Sequence, residues 1–189
     1  MTLLILGVLL WSCAHLFKRL FPGIRNAMDE TFGAVPAKIV FAVLLVVSVV
    51  LMVIGYRHAG PPVRFTGPEF LVHINNALML GAVALFGVGS SKSHARQLFR
   101  HPQLYGFITW AVAHLLVNWD FASVVLFGGL LIWALAEIQI INKREPGVTR
   151  YTGGTIAGDL KLAGISIVVY LVIIWVHGLL GVSPMPGVA

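Results

Sequence analysis

The chain has 189 residues, of which 58% are hydrophobic and 11% charged, with a mean hydropathy of +0.91. So few charges cannot cover the surface of a water-soluble domain, which places the chain in a bilayer and excludes disordered, collagenous and coiled-coil classes. A lone cysteine, Cys13, excludes an intrachain disulfide or a cysteine-rich metal site, and the net charge of +6 does not mark a nucleic-acid binder, because the basic residues are spread between apolar runs.

Runs of bilayer length separated by breakers predict about six transmembrane helices in one all-α polytopic bundle, a single domain over 1–189. They cover Leu3 to Phe21, Pro36 to Tyr56, Phe70 to Ser90, Leu104 to Asn118, Phe121 to Ile141 and Leu160 to Gly181. The first and fourth are the least hydrophobic. Only Trp119 and Asp120 separate the fourth from the fifth, which predicts a tight hairpin with neighbouring helices.

Lys18, Arg19, Arg25, Lys38, Lys92, Arg96, Arg100, Lys143, Arg144, Arg150 and Lys161 fall in the first, third and fifth loops or at their borders, while only Arg57 and Arg64 fall in the second. The positive-inside rule then sets the N-terminus outside, the odd loops in the cytoplasm and the tail from Gly181 to Ala189 outside, in a cell inner membrane. The first run has no basic residues before it and a bulky Trp11 ahead of Cys13, so it reads as an uncleaved anchor rather than a signal or lipoprotein segment.

Ionisable groups at membrane depth are expensive, which makes each one a candidate functional position. His73, His101 and His177 lie at span edges, where water or a headgroup satisfies an imidazole. His114 lies about 15 Å from the nearer plausible inner end of its helix and needs a partner. Gly106, Trp110, His114 and Asn118 recur at four-residue steps and share one face; Gly7, Trp11, His15 and Arg19 repeat the pattern on the first span.

Two imidazoles from two helices are a common way for a membrane bundle to hold haem b, both through neutral ring nitrogens. In that reading the glycines give the macrocycle room, Trp11 and Trp110 line its faces, and Arg19, Arg25 or Lys18 meets its propionates. The competing reading is polar side chains cementing a helix contact. With midplanes near residues 11 and 112, His15 lies about 6 Å inward and His114 about 3 Å outward; His101, about 10 Å inward of His15, is a rival ligand. The two stripes make a three-plus-three inverted repeat conceivable, although no other spans match.

Glu137 reads as an interfacial carboxylate paired with a basic loop, with a proton relay as the sharper alternative. Asp29 and Glu30 offset Arg25. Gly128 and Gly129 suggest close packing, and Gly153 and Gly154 a turn. The sequence contains no G-x-x-x-x-G-K-[ST], G-x-S-x-G or H-E-x-x-H motif, so nucleotide, serine-hydrolase and zincin readings lack support.

The combination of His15-Leu16-Phe17 and Arg25, Arg100-His101-Pro102-Gln103 with Gly106, Trp110, His114 and Asn118-Trp119-Asp120, and Phe127-Gly128-Gly129 with Trp133-Ala134-Leu135 resembles the NnrU family over most of the chain. The resemblance implies a multi-pass protein associated with denitrification and homologous to 15-cis-zeta-carotene isomerase, a haem b membrane enzyme. It also implies that His15 and His114 match the two histidines considered haem ligands there. Ala111 stands where the isomerase has a cysteine, no histidine occurs among Leu130 to Glu137, and Trp119 replaces a family glycine.

The functional expectation is therefore a haem b protein of nitrite or nitric oxide metabolism working with a redox partner. The alternatives are an isomerase-like enzyme acting on a polyene or other apolar small molecule, and a methyltransferase-like protein or non-catalytic scaffold. Arg100-His101-Pro102-x3-Gly106 also resembles a membrane methyltransferase motif, but only Tyr151 and Glu145 stand where its second half belongs.

Overall fold

The computed structural model describes residues 1–60, 65–147, 150–182 and 184. Arg64, counted above in the second loop, and all of the tail beyond Val182 except Pro184 lie outside the described residues. The described chain is helical: α1 (Thr2–Leu20), α2 (Pro22–Phe32), α3 (Ala34–Arg57), α4 (Phe70–Val88), α5 (Pro102–Val117), α6 (Phe121–Arg144) and α7 (Ile156–Leu179). Five of these, α1, α3, α4, α6 and α7, are long and apolar enough to cross a membrane. The fourth expected span forms α5 with 16 residues, about 24 Å of helix and short of the usual span.

Two compact units divide the chain: residues 1–63 with 120–146, and 64–119 with 147–189. Their segments alternate along the sequence, so the first unit contains α1, α2, α3 and α6, and the second contains α4, α5 and α7. This differs from the three-plus-three division. The boundary falls between Trp119 and Asp120, so the expected hairpin neighbours belong to different units, with α5 packed on α4 and α6 on α1.

In the first unit α1 and α3 are antiparallel. Their backbones touch where Gly55 meets Leu4, an ideal Cβ on Gly55 lying 2.3 Å from the Leu4 nitrogen, and where Gly7 meets Ser48 and Met52. By contrast α6 runs parallel to α1: Gly129 meets Val8, Trp133 meets Trp11 and Glu137 meets Arg19. In the second unit Gly106 of α5 packs on Ala82 and Phe86 of α4, and Leu162 of α7 packs on Gly87, so both partners oppose α4. These directions match the alternation expected of the spans.

Beyond the expected spans the chain forms a further α-helix, α2. Pro22 occupies its first turn, where no backbone donor is needed, and Gly33 ends it at φ 88°, a conformation open to glycine and strained for other residues. Arg25 is buried, paired with Asp29 one turn on and stacked on Phe41, while Phe21, Ile24 and Phe32 face outward. A second local feature is the wider π turn at Val124–Gly128 in α6. Its extra residue rotates the following face by about 100°, setting the orientation of the Gly129–Trp133–Glu137 stripe that meets α1.

Asp120 starts α6 by accepting bonds from the Ser123 backbone nitrogen at 2.8 Å and the Ser123 hydroxyl at 2.6 Å. The Tyr56 and Ser123 hydroxyls lie 2.8 Å apart, tying the end of α3 to this turn. Outside these contacts α3 and α7 expose long apolar faces, including Val43, Val46, Val50, Val168, Leu171 and Trp175. Such faces are stable only against lipid tails, so a bilayer is the surrounding medium.

Candidate functional site

The His15 site begins as a helix stripe and is completed by a second helix. The His15 Nδ1 lies 3.0 Å from the Trp11 carbonyl, which can only accept, so the ring proton is on Nδ1 and the Nε2 lone pair is available. Trp11 and Trp133 flank the imidazole, with ring centroids 4.3 Å and 4.7 Å away. The indoles meet edge-on at 5.5 Å. An imidazole with Nδ1 held by a carbonyl and Nε2 bare has the donor chemistry of a metal or haem ligand.

One turn further, Arg19 Nη1 donates to Glu137 Oε1 at 2.5 Å, and Arg19 Nε lies 3.7 Å from Glu145 Oε1. Glu137 is almost fully enclosed, and its second oxygen, Oε2, has no hydrogen-bond partner among the described residues. A buried carboxylate in this setting depends on its guanidinium partner. Both arginines expected to meet propionates thus already face carboxylates, Arg19 those of Glu137 and Glu145 and Arg25 that of Asp29. Lys18, exposed at the same end of α1, forms no ion pair among the described residues.

The glycines have a different role from the expected one of making room for a macrocycle. Gly7 admits the backbone of α3 and Gly106 that of α4, so both are spent on close helix contact. Gly129 likewise admits Val8, whereas Gly128 faces open space.

His114 sits in the second unit with the rest of its own stripe. Trp110 meets its ring edge-on at 5.4 Å, and Phe107 and Phe86 continue the aromatic row. The Asn118 amide nitrogen donates to the His114 carbonyl at 2.9 Å, which settles the amide's orientation, and the same nitrogen lies 3.4 Å from His114 Nδ1. That long contact asks Nδ1 to accept, a weak preference that places the ring proton on Nε2. His15 thus offers Nε2 as it stands, and His114 would offer its own with the ring proton on Nδ1.

The rival His101 caps α5, its carbonyl accepting from Tyr105 at 3.0 Å. His177, expected at a span edge, lies within electrostatic reach of His114, and its Nδ1 donates to the Ile173 carbonyl at 2.8 Å. Sequence spacing could not join α7 to α5. Among the described residues no cluster of three or more His, Cys, Asp or Glu side chains is arranged to hold a metal ion; haem ligation by two histidines requires no such cluster.

Aromatic-flanked imidazoles and a buried ion pair on outward-apolar helices define a helical multi-pass membrane protein with polar residues gathered inside its units. The NnrU protein family matches residues 3–184, across both units, and the chain belongs to that family. No curated protein and no solved structure matches it.

Proposed function

We propose that this NnrU protein binds haem b, which His15 and His114 would hold through imidazole nitrogens, and serves nitrite or nitric oxide metabolism in the inner membrane by exchanging electrons with a redox partner. The observation that carries this reading is the His15 imidazole, held by the Trp11 carbonyl between two indoles with Nε2 left to ligate. When bound, the haem supplies one-electron chemistry. The chain supplies a neutral imidazole at His15, apolar walls from Trp11 and Trp110, and the Arg19–Glu137 pair that keeps a cation and a carboxylate within the apolar interior. Lys18 is the cation left to meet a propionate, since Arg19 and Arg25 already have carboxylate partners.

The isomerase reading has less support, because Ala111 is fully buried and offers no sulfur where that enzyme has a cysteine. The test is a reduced-minus-oxidised spectrum of the detergent-purified protein with a pyridine haemochrome assay. Sharp alpha and Soret bands of haem b are expected. A colourless but folded protein overturns the haem reading, and unaltered nitrite and nitric oxide turnover in cells lacking the protein overturns the metabolic one.

A further inference from the structure

A cavity of about 750 Å³ lies in the second unit between one end of α4 and the start of α7. Its lower walls are apolar, formed by Phe86 on one side and Leu162, Ile165 and Val169 on the other. Its rim is cationic and hydroxylated, carrying Lys92, Lys161 and Ser90. From Thr155 to Val169 the lining follows about 21 Å of α7, the depth of a lipid tail rather than of a small ion.

The rim is built rather than incidental. Thr155 caps α7 by accepting from the Gly158 nitrogen at 3.0 Å, and the Thr155 nitrogen donates to the Lys92 carbonyl at 2.9 Å. An ideal Cβ on Gly158 falls 2.1 Å from that carbonyl oxygen, so only glycine lets the strand of chain bearing Lys92 lie on α7. The carboxylate of Asp159, in the first turn of α7, is already engaged by the Ser93 hydroxyl at 2.6 Å and by the His94 backbone and ring nitrogens at 2.9 and 2.7 Å. Neither lysine forms an ion pair among the described residues. Ser90 also borders a second cavity of about 300 Å³, where Arg96, Arg100 and Arg150 converge. Five basic side chains, Lys92, Lys161, Arg96, Arg100 and Arg150, thus line the two cavities at this end.

We infer that the groove between α4 and α7 is a binding site for an anionic glycerophospholipid, its phosphate at Lys92 and Lys161 and one acyl chain along Leu162, Ile165 and Val169. Charge complementarity selects the anionic headgroup and the apolar walls require a tail, so inorganic phosphate meets only half the site. The site is independent of haem.

The test is native mass spectrometry of the full chain carrying phosphatidylglycerol or phosphatidylcholine, with helicity checked by circular dichroism. Phosphatidylglycerol should be retained preferentially. Lys92→Gln and Lys161→Gln should each weaken it about fivefold without altering phosphatidylcholine binding, the corresponding arginine variants should keep it, and Ile165→Trp should lower retention by filling the tail groove. Equal retention of both lipids overturns the inference, as does displacement of phosphatidylglycerol by millimolar inorganic phosphate, which marks a simple anion site. If Lys92→Gln does not fold, Lys161→Gln alone decides, and unchanged phosphatidylglycerol affinity overturns the proposal.

Discussion

The two histidine stripes look alike along the chain but their surroundings are built differently. His15 takes one neighbour from its own helix and another from α6, where Trp133 closes the second side of the ring and Glu137 reaches Arg19 across a separation of 118 residues. Within α5, His114 meets Trp110 and Asn118, each four residues away, and His177 of α7 lies within its electrostatic reach. A backbone carbonyl orients the first imidazole through Nδ1, whereas a side-chain amide approaches the second. The first imidazole is thus oriented by a backbone carbonyl and walled by a second helix, while the second is approached by an amide of its own helix, so replacing Trp133 should disturb the first and replacing Asn118 the second.

The largest effect that could break this comparison is the loss of a ligand. His15→Ala should remove the Soret band of the purified protein while leaving helicity and membrane insertion intact. His114→Ala should do the same, whereas His101→Ala should retain the band; a reversed result would make His101 the second ligand. His177→Ala separates a merely neighbouring imidazole from a competing one, and is expected to keep the band.

The next effect falls on the tertiary site. Glu137→Leu leaves Arg19 with only the more distant, half-exposed carboxylate of Glu145 and should cost about 3 kcal/mol of unfolding free energy, read by denaturant titration in detergent. Adding Arg19→Leu should recover most of that loss, because the uncompensated charge disappears with its partner. A double variant no more stable than the single one would show that the pair acts through packing rather than charge.

Glycine contacts give a smaller and more graded comparison. At Gly55 an added methyl meets backbone atoms of Leu4, which cannot rotate away, so Gly55→Ala should cost about 1–3 kcal/mol. At Gly106 the nearest atoms lie at 3.2–3.3 Å, and two of the three belong to the Phe86 ring, so Gly106→Ala should fall below that range. Thermal unfolding of both variants in one detergent checks the order.

These differences explain what could be read from the sequence. Apolar run lengths located every long helix to within a few residues, because hydrocarbon thickness sets helix length directly. The stripes on α1 and α5 were legible because four-residue spacing is a property of one helix. What faces each stripe was not: Trp133 and Glu137 carry their own four-residue spacing, but nothing in it names α1 as partner, and the π turn before them changes which face they present. The amphipathic α2 was hidden by its polar composition, although Pro22, the Arg25–Asp29 step and Gly33 together mark a start, an internal pair and a stop. The glycines were visible, but whether a small residue makes room for a cofactor or for a backbone depends on the helix opposite it.

The smallest predicted effect tests the difference between the two imidazoles themselves. Asn118 donates to the His114 carbonyl, so its amide nitrogen is the atom that approaches Nδ1. Asn118→Asp replaces that donor with an acceptor of the same shape, drawing the ring proton to Nδ1 and giving His114 the tautomer that His15 already has. A carboxylate behind a ligating histidine also makes Nε2 more basic, which favours the higher oxidation state of a bound iron. The midpoint potential should therefore fall by on the order of 60 mV, the shift equivalent to a tenfold change in relative affinity for the two oxidation states. Asn118→Leu, which can neither donate nor accept, should leave the potential closer to that of the unaltered chain. If the aspartate and leucine variants shift the potential equally, loss of the amide rather than the ring proton's position is responsible, and the contrast between the two histidines does not lie in their tautomers.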